Sequence, residues 1–134
     1  QPYMVNAKRK WMVVVSGIRI TQALVNELLH YDGRAGTLAW KPRARKWFDS
    51  DSDWRRWNNR YAGVPAFTYV NGNRRWGCIV GQNYLAHRVA WLHAYGQWPG
   101  QIRFLNRDAK DIRLGNMIDI RPKIVGHERE RLAA

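Results

Sequence analysis

The chain has 134 residues, enough for one domain of ordinary size, and 46% of them are hydrophobic, enough to fill a core. Lys and Arg number 23 against 10 Asp and Glu; the formal charge of +13 runs from Lys8 to Arg131 and favours a polyanionic partner, nucleic acid first, over a basic surface kept only for solubility. The longest apolar stretch, residues 11–15, is far too short to span a bilayer, and the single cysteine, Cys78, excludes an intrachain disulfide, so no membrane role is expected and a reducing cytoplasm fits best.

Residues 1–11 form a basic arm with Lys8, Arg9, Lys10 and Trp11 together, and the β-branched run at 12–15 suits an edge strand. No signal-peptide pattern opens the sequence. Thr21 is an N-cap signal for a helix running to about His30, with Ile20 and Val25 at hydrophobic-staple spacing and Leu24, Val25, Leu28 and Leu29 as its apolar stripe. Tyr31-Asp32-Gly33 closes it, and residues 37–41 read as a short strand entering the basic segment 41–47. From Asp49 to Arg60 charges and aromatics interleave, with Trp54 and Trp57 on one helical face.

Residues 66–70 and 74–80, separated by Asn71-Gly72-Asn73, carry the strongest hairpin signal in the chain. Cys78, between Gly77 and Ile79 in this strand-like run, reads as a buried structural thiol. A turn at Gly81-Gln82 leads into Tyr84, after which Leu85, Val89, Leu92 and His93 recur at helical spacing until Gly96 and Pro99 stop the helix. Helix, three short strands, helix and a compact final motif imply an α+β fold with a small antiparallel sheet and flanking helices, in one domain spanning 1–134 with a polar tail at 122–134.

Four blocks in order carry a resemblance. They are Tyr31-Asp32-x-x-x-Gly36-x-Leu38-x-Trp40-Lys41; Trp57-Asn58-x-Arg60-x-Ala62-Gly63-x-Pro65-Ala66; Tyr84-Leu85-Ala86-His87-Arg88-Val89-Ala90-Trp91; and Tyr95-Gly96-x-Trp98-Pro99. Together they resemble the small HNH homing endonucleases of bacteriophages. That family continues with Ile-Asp-His-Ile-Asn-x-Asp and then Asp-Asn-Arg-x-x-Asn-Leu, a ββα-metal motif holding Mg²⁺ or another divalent ion. Here the same frame reads Ile102-Arg103-Phe104-Leu105-Asn106-Arg107-Asp108, then Asp111-Ile112-Arg113-Leu114-Gly115-Asn116-Met117.

The resemblance implies that Phe104 stands where the family carries its general-base histidine. Arg103 stands at a metal-holding carboxylate, and Ile112 at a polar asparagine of the same motif, while Asn116 is retained. A phenyl ring cannot accept a proton, and losing a positioned base costs roughly 10² to 10⁴ in rate. A guanidinium in place of a carboxylate repels an incoming cation, and Asn116 cannot hold one alone. No catalytic residue, metal or cofactor is therefore expected. An arginine there keeps positive charge near a phosphate and offers fixed donors to it. His87 matches a family histidine in the preceding helix, more a structural or phosphate-contacting side chain than a catalyst; His93, six residues on, is not at metal-sharing spacing. His30 ends the first helix, and His127 sits in a polar tail with Glu128 and Glu130.

Three basic aromatic groups are candidate duplex clamps: Lys8, Arg9 and Lys10 with Trp11; Arg43, Arg45 and Lys46 with Trp47; and Arg55, Arg56 and Arg60 with Trp54. Arg74 and Arg75 follow the hairpin turn, at a tip suited either to a groove or to solvent, Arg88 precedes the degenerate motif, and Arg107 and Arg113 lie within it. Trp40, Trp57 and Trp91 read as core, whereas Trp11, Trp47 and Trp54 are the candidates for exposed stacking. The expected function is a non-cleaving protein that binds double-stranded DNA in the cytoplasm of an infected bacterial host. One alternative is an inhibitor that docks on a host protein of nucleic-acid metabolism; another is a working nuclease with displaced ligands.

Overall fold

The structure, a computed structural model, describes residues 20–122. The expectations for Lys8, Arg9, Lys10 and Trp11, for the run at 12–15 and for the tail with His127 lie outside the described residues. The class is α+β: the described residues form three helices and small antiparallel sheets, with no described helix long and apolar enough to cross a membrane.

Thr21 caps helix α1 (Gln22–Leu28), its hydroxyl accepting the N–H of Leu24 at 3.2 Å, and Val25 and Leu28 turn inward. The helix stops two residues earlier than the sequence suggests. Leu29 is already extended and opens β1 (Leu29–Asp32), because this segment finds a partner in β2 (Thr37–Trp40), in the register Leu29↔Trp40 to Asp32↔Thr37. Pairing across a short turn overrides the propensity of a leucine-rich helix to continue. The turn is held by the Asp32 carboxylate, which accepts the N–H groups of Arg34 and Ala35. It closes at Gly36, whose φ is +73° and whose missing Cβ leaves room for the Arg113 backbone at 2.9 Å.

A single 3₁₀ turn (Arg45–Trp47) buries Trp47 and leads to Phe48, also buried. Ser50 then caps α2 (Asp51–Tyr61), accepting the N–H of Asp53; Asp51 and Asp53 in the first turn and Arg60 in the last suit the helix dipole. Helix α2 buries Trp57 against Trp40, Phe48 and Tyr61, with ring centroids 6.0, 6.1 and 5.3 Å away. β3 (Pro65–Ala66) completes a first sheet in the order β1-β2-β3.

The hairpin predicted over 66–80 is shorter than its sequence signal. Phe67, at φ 59°, turns the chain away, so Ala66 stays in the first sheet and the second begins at β4 (Tyr69–Asn71). β5 (Arg74–Ile79) and β6 (Gln82–Leu85) follow, in the order β4-β5-β6. Phe67 lies over Gly77, its ring 2.5 Å from where a Cβ would stand. Cys78 is half-buried on β5, less enclosed than expected.

Helix α3 (Ala86–Tyr95) ends as predicted at Gly96, in the left-handed region at φ 84°. It buries Ala86, His87, Val89, Ala90 and Leu92 and packs chiefly on α1; the Gln22 amide donates to the His93 carbonyl across that seam. The last pair, β7 (Ile102–Phe104) and β8 (Met117–Asp119), forms a separate two-stranded sheet. Its base is fixed by the Asp119 carboxylate, which accepts the N–H groups of Gly100, Gln101 and Arg121. One cluster of buried side chains draws on all three helices, with Ile102, Phe104 and Leu114 packed against its edge.

Candidate functional site

The β7–β8 pair carries Arg103 and Phe104. Alternation along β7 sends Ile102 and Phe104 toward the core and Arg103 to solvent, opposite Ile118 of β8. Phe104 meets His87 of α3 edge to face, with ring centroids 5.1 Å apart at 83°. Ile112 is 1% exposed and belongs to the core. Phe104 and Ile112 thus serve packing, and Arg103 displays a cation.

The loop between the strands, residues 105–116, is held by a polar clamp. The Asn116 amide oxygen accepts the N–H of Asn106 at 3.0 Å, and its nitrogen donates to the Asn106 side-chain oxygen at 2.9 Å and to the Asp111 carbonyl at 2.8 Å. Asn106 in turn donates to the Asp111 carboxylate and accepts the N–H of Asp108. Asp111 also receives Arg113 through its Nε and Nη2, an interaction that, with the backbone N–H of Arg113 and the Asn106 amide, holds its carboxyl down at about 2. Asp108 accepts the N–H of Lys110. At the loop's first bend Arg107 adopts φ 63°, and its N–H returns to the Phe104 carbonyl.

These commitments bear on the divalent ion that the resemblance implies. The Asn116 oxygen is spent on a backbone N–H, Asp108 and Asp111 are engaged within the loop, and the strand position facing out is a guanidinium. Among the described residues no three His, Cys, Asp or Glu side chains converge as a metal centre. The donor set present does not fit a divalent ion.

His87 is enclosed beneath this segment. It is 7% exposed and its Nδ1 lacks a hydrogen-bond partner; burial first, then the charges of Arg74 and Arg88, push its pKa down to about 4. A neutral, enclosed imidazole is out of reach of a phosphodiester in solution. His30 stands exposed on β1 instead of ending a helix, and His93 packs beside Tyr31 with its Nε2 3.0 Å from the Leu29 carbonyl.

The predicted nucleic-acid residues separate into three groups. Arg43 and His87 are corrected outright, since both are buried. The Arg43 guanidinium lies between Trp57 and Trp40, at 4.2 and 5.1 Å from their centroids, with its pKa lowered by desolvation to about 10. The second group is tied to neighbours: Arg45 to Asp51, Lys46 to Glu27, Arg56 to Asp53, Arg113 to Asp111, and Arg88 to the Pro99 carbonyl and the Trp98 ring. Arg60 lies over Tyr61. The third group, Arg55, Arg74, Arg75, Arg103 and Arg107, has no carboxylate within ion-pair distance among the described residues.

Trp47 and Trp54 are also corrected. Trp47 is 6% exposed and donates to Glu27, while Trp54 packs on the core and donates to the Arg43 carbonyl, so neither is available to stack on a base.

One signal was legible in the sequence and went unread. Between Asp53 and Asp108 there is no acidic residue, and residues 54–107 carry eight arginines: Arg55, Arg56, Arg60, Arg74, Arg75, Arg88, Arg103 and Arg107. The second sheet and β7 are built within this carboxylate-free stretch, as is α2 from Trp54 onward. Neither curated proteins nor solved structures return a match to the chain. Residues 84–118, from β6 through α3 and β7 into β8, match the family model described as HNH endonuclease.

Proposed function

We propose that this protein binds double-stranded DNA through a basic surface centred on its HNH-type segment and does not cut it. The observation that carries this reading is the charge asymmetry of residues 54–107, eight arginines with no carboxylate, with Arg103 and Arg107 exposed around the degenerate motif. A guanidinium at position 103 supplies in one side chain the positive charge that a carboxylate and its metal would supply together, and its planar fork suits a phosphate. The β7–β8 pair and the Asn106–Asn116 clamp hold that charge on a rigid support. Cleavage is absent in this reading because Phe104 cannot take a proton and the donors around it do not assemble a metal site. A ββα-type arrangement of the HNH-type segment and a bacteriophage origin belong to the same proposal, as does a single domain over residues 1–134.

The test is a titration of labelled duplex followed by fluorescence anisotropy. With about six to ten phosphates contacted, affinity falls roughly 10³- to 10⁵-fold between 50 and 200 mM salt, and Arg103→Ala lowers the logarithmic salt slope by about one. A flat salt profile, or an Arg103→Ala variant with unchanged affinity, refutes the proposal.

A second reading has one observation in its favour. Leu105, Ile118 and Ile120 are 56%, 45% and 47% exposed on and beside the β7–β8 pair, a surface suited to an apolar contact with a host protein. Association that ignores salt and survives nuclease treatment would favour it.

A further inference from the structure

The β4–β5 hairpin has a rooted half and a projecting half. At its root Gly77 and Ile79 are buried, with the Phe67 ring pressed on Gly77. At its end Val70, Asn71, Gly72, Asn73 and Arg74 are all exposed, although they alternate between the two faces of the ribbon. The turn itself is two residues, Gly72-Asn73, with Gly72 at φ 68°. Register fixes which side chains share a side: Asn71 stands opposite Arg74, and Val70 opposite Arg75. Val70 is 48% exposed, an aliphatic side chain with no packing role in the core.

These are the side-chain types that discriminate bases. An asparagine amide matches the adenine edge, an arginine fork the guanine edge, and an aliphatic group the thymine methyl. Two strands about 4.8 Å apart with their side chains fit a groove about 12 Å wide and not one about 6 Å wide. The hairpin also lies inside the carboxylate-free stretch, so nothing on it repels phosphate.

We propose that the tip of the β4–β5 hairpin enters the major groove of duplex DNA and reads base edges through Asn71 and Arg74 on one side and Val70 and Arg75 on the other. This rests on the DNA-binding reading above and adds to it a division of labour. Arg103 and its neighbours grip phosphate without regard to sequence, and the hairpin supplies the preference.

The experiment is selection of bound duplexes from a randomised pool by the full chain, followed by affinities for the selected and a scrambled duplex. The wild-type protein enriches a motif. Asn71→Ala and Arg74→Ala, exposed positions whose folding is checked by unchanged thermal midpoints, each lose the preference at one or two adjacent base pairs. The ratio of affinities for selected and scrambled duplex then falls about tenfold. If both variants enrich the wild-type motif, the assignment of these residues is overturned. If the wild-type protein binds duplex tightly but enriches no motif, or prefers single-stranded DNA, the hairpin proposal fails while DNA binding stands. If it binds no DNA, both fail.

Discussion

Asn116→Ala tests whether the retained asparagine is a structural clamp or a metal ligand. The residue is 5% exposed and its amide makes three hydrogen bonds, to the Asn106 N–H, the Asn106 side-chain oxygen and the Asp111 carbonyl. Truncation leaves the Asn106 N–H and the Asp111 carbonyl without partners, whereas the Asn106 oxygen still accepts from Asp108. An orphaned buried group costs about 1–3 kcal/mol, and water reaches part of this loop, so the total comes to about 2–4 kcal/mol. For roughly 100 ordered residues that is a fall in Tm of about 10–20 °C, read by circular dichroism and checked as a shift in urea midpoint at constant m. The loss is the same with and without Mg²⁺. A variant within about 0.5 kcal/mol of wild type refutes the clamp. A wild-type protein whose Tm rises with Mg²⁺ while the variant's does not would make Asn116 a ligand instead.

Gly77→Ala forces a methyl into the Phe67 ring, 2.5 Å from the Cβ position, and is expected to cost about 1–3 kcal/mol in urea unfolding. An unchanged midpoint would mean that the second sheet is not seated on Phe67. Acid should weaken the fold well before its carboxylates titrate. The His87 pKa falls from 6.5 to about 4 on folding, so the unfolded chain binds the proton first, and stability present above pH 6.5 is lost as pH falls toward 4. The term is worth about 3 kcal/mol at most, and His93, also lowered, adds to it. Unfolding free energy measured at pH 7 and pH 4.5 should therefore drop less in His87→Leu than in the wild-type protein; equal drops would remove His87 from the account. Arg43→Met should keep duplex affinity within about twofold, since its guanidinium is enclosed by Trp40 and Trp57 and exposed arginines elsewhere carry the phosphate contacts. A large loss of affinity would return Arg43 to the binding surface.

Legibility followed the range of the interaction. Local signals were sound: the Thr21 cap and the Gly96 stop of α3 stand where the sequence puts them, and the β4–β5 turn, Gly72-Asn73, falls within the Asn71-Gly72-Asn73 signal. The end of α1 was not legible, because Leu29 has the composition of a helix and is recruited to β1 by a partner eight to eleven residues away. Ala66 was assigned to the wrong sheet for a similar reason, the positive φ of Phe67, which bulky residues rarely adopt. At the site, Arg103, Phe104 and Ile112 could be located from the motif frame. The burial of Arg43 and Trp47 could not, since a basic aromatic run looks the same whether its rings face solvent or each other. The Asn106–Asn116 clamp was hidden too: it is a ten-residue closure with no periodicity to announce it.

Plasmid nicking separates a surface that holds duplex without cutting it from a working nuclease. Supercoiled DNA is incubated with Mg²⁺ or Mn²⁺ at protein concentrations that saturate binding in the anisotropy titration. Full occupancy with no relaxed or linear product beyond the protein-free control is expected. Metal-dependent relaxation that disappears with chelator, or saturating protein without any bound duplex, would contradict it.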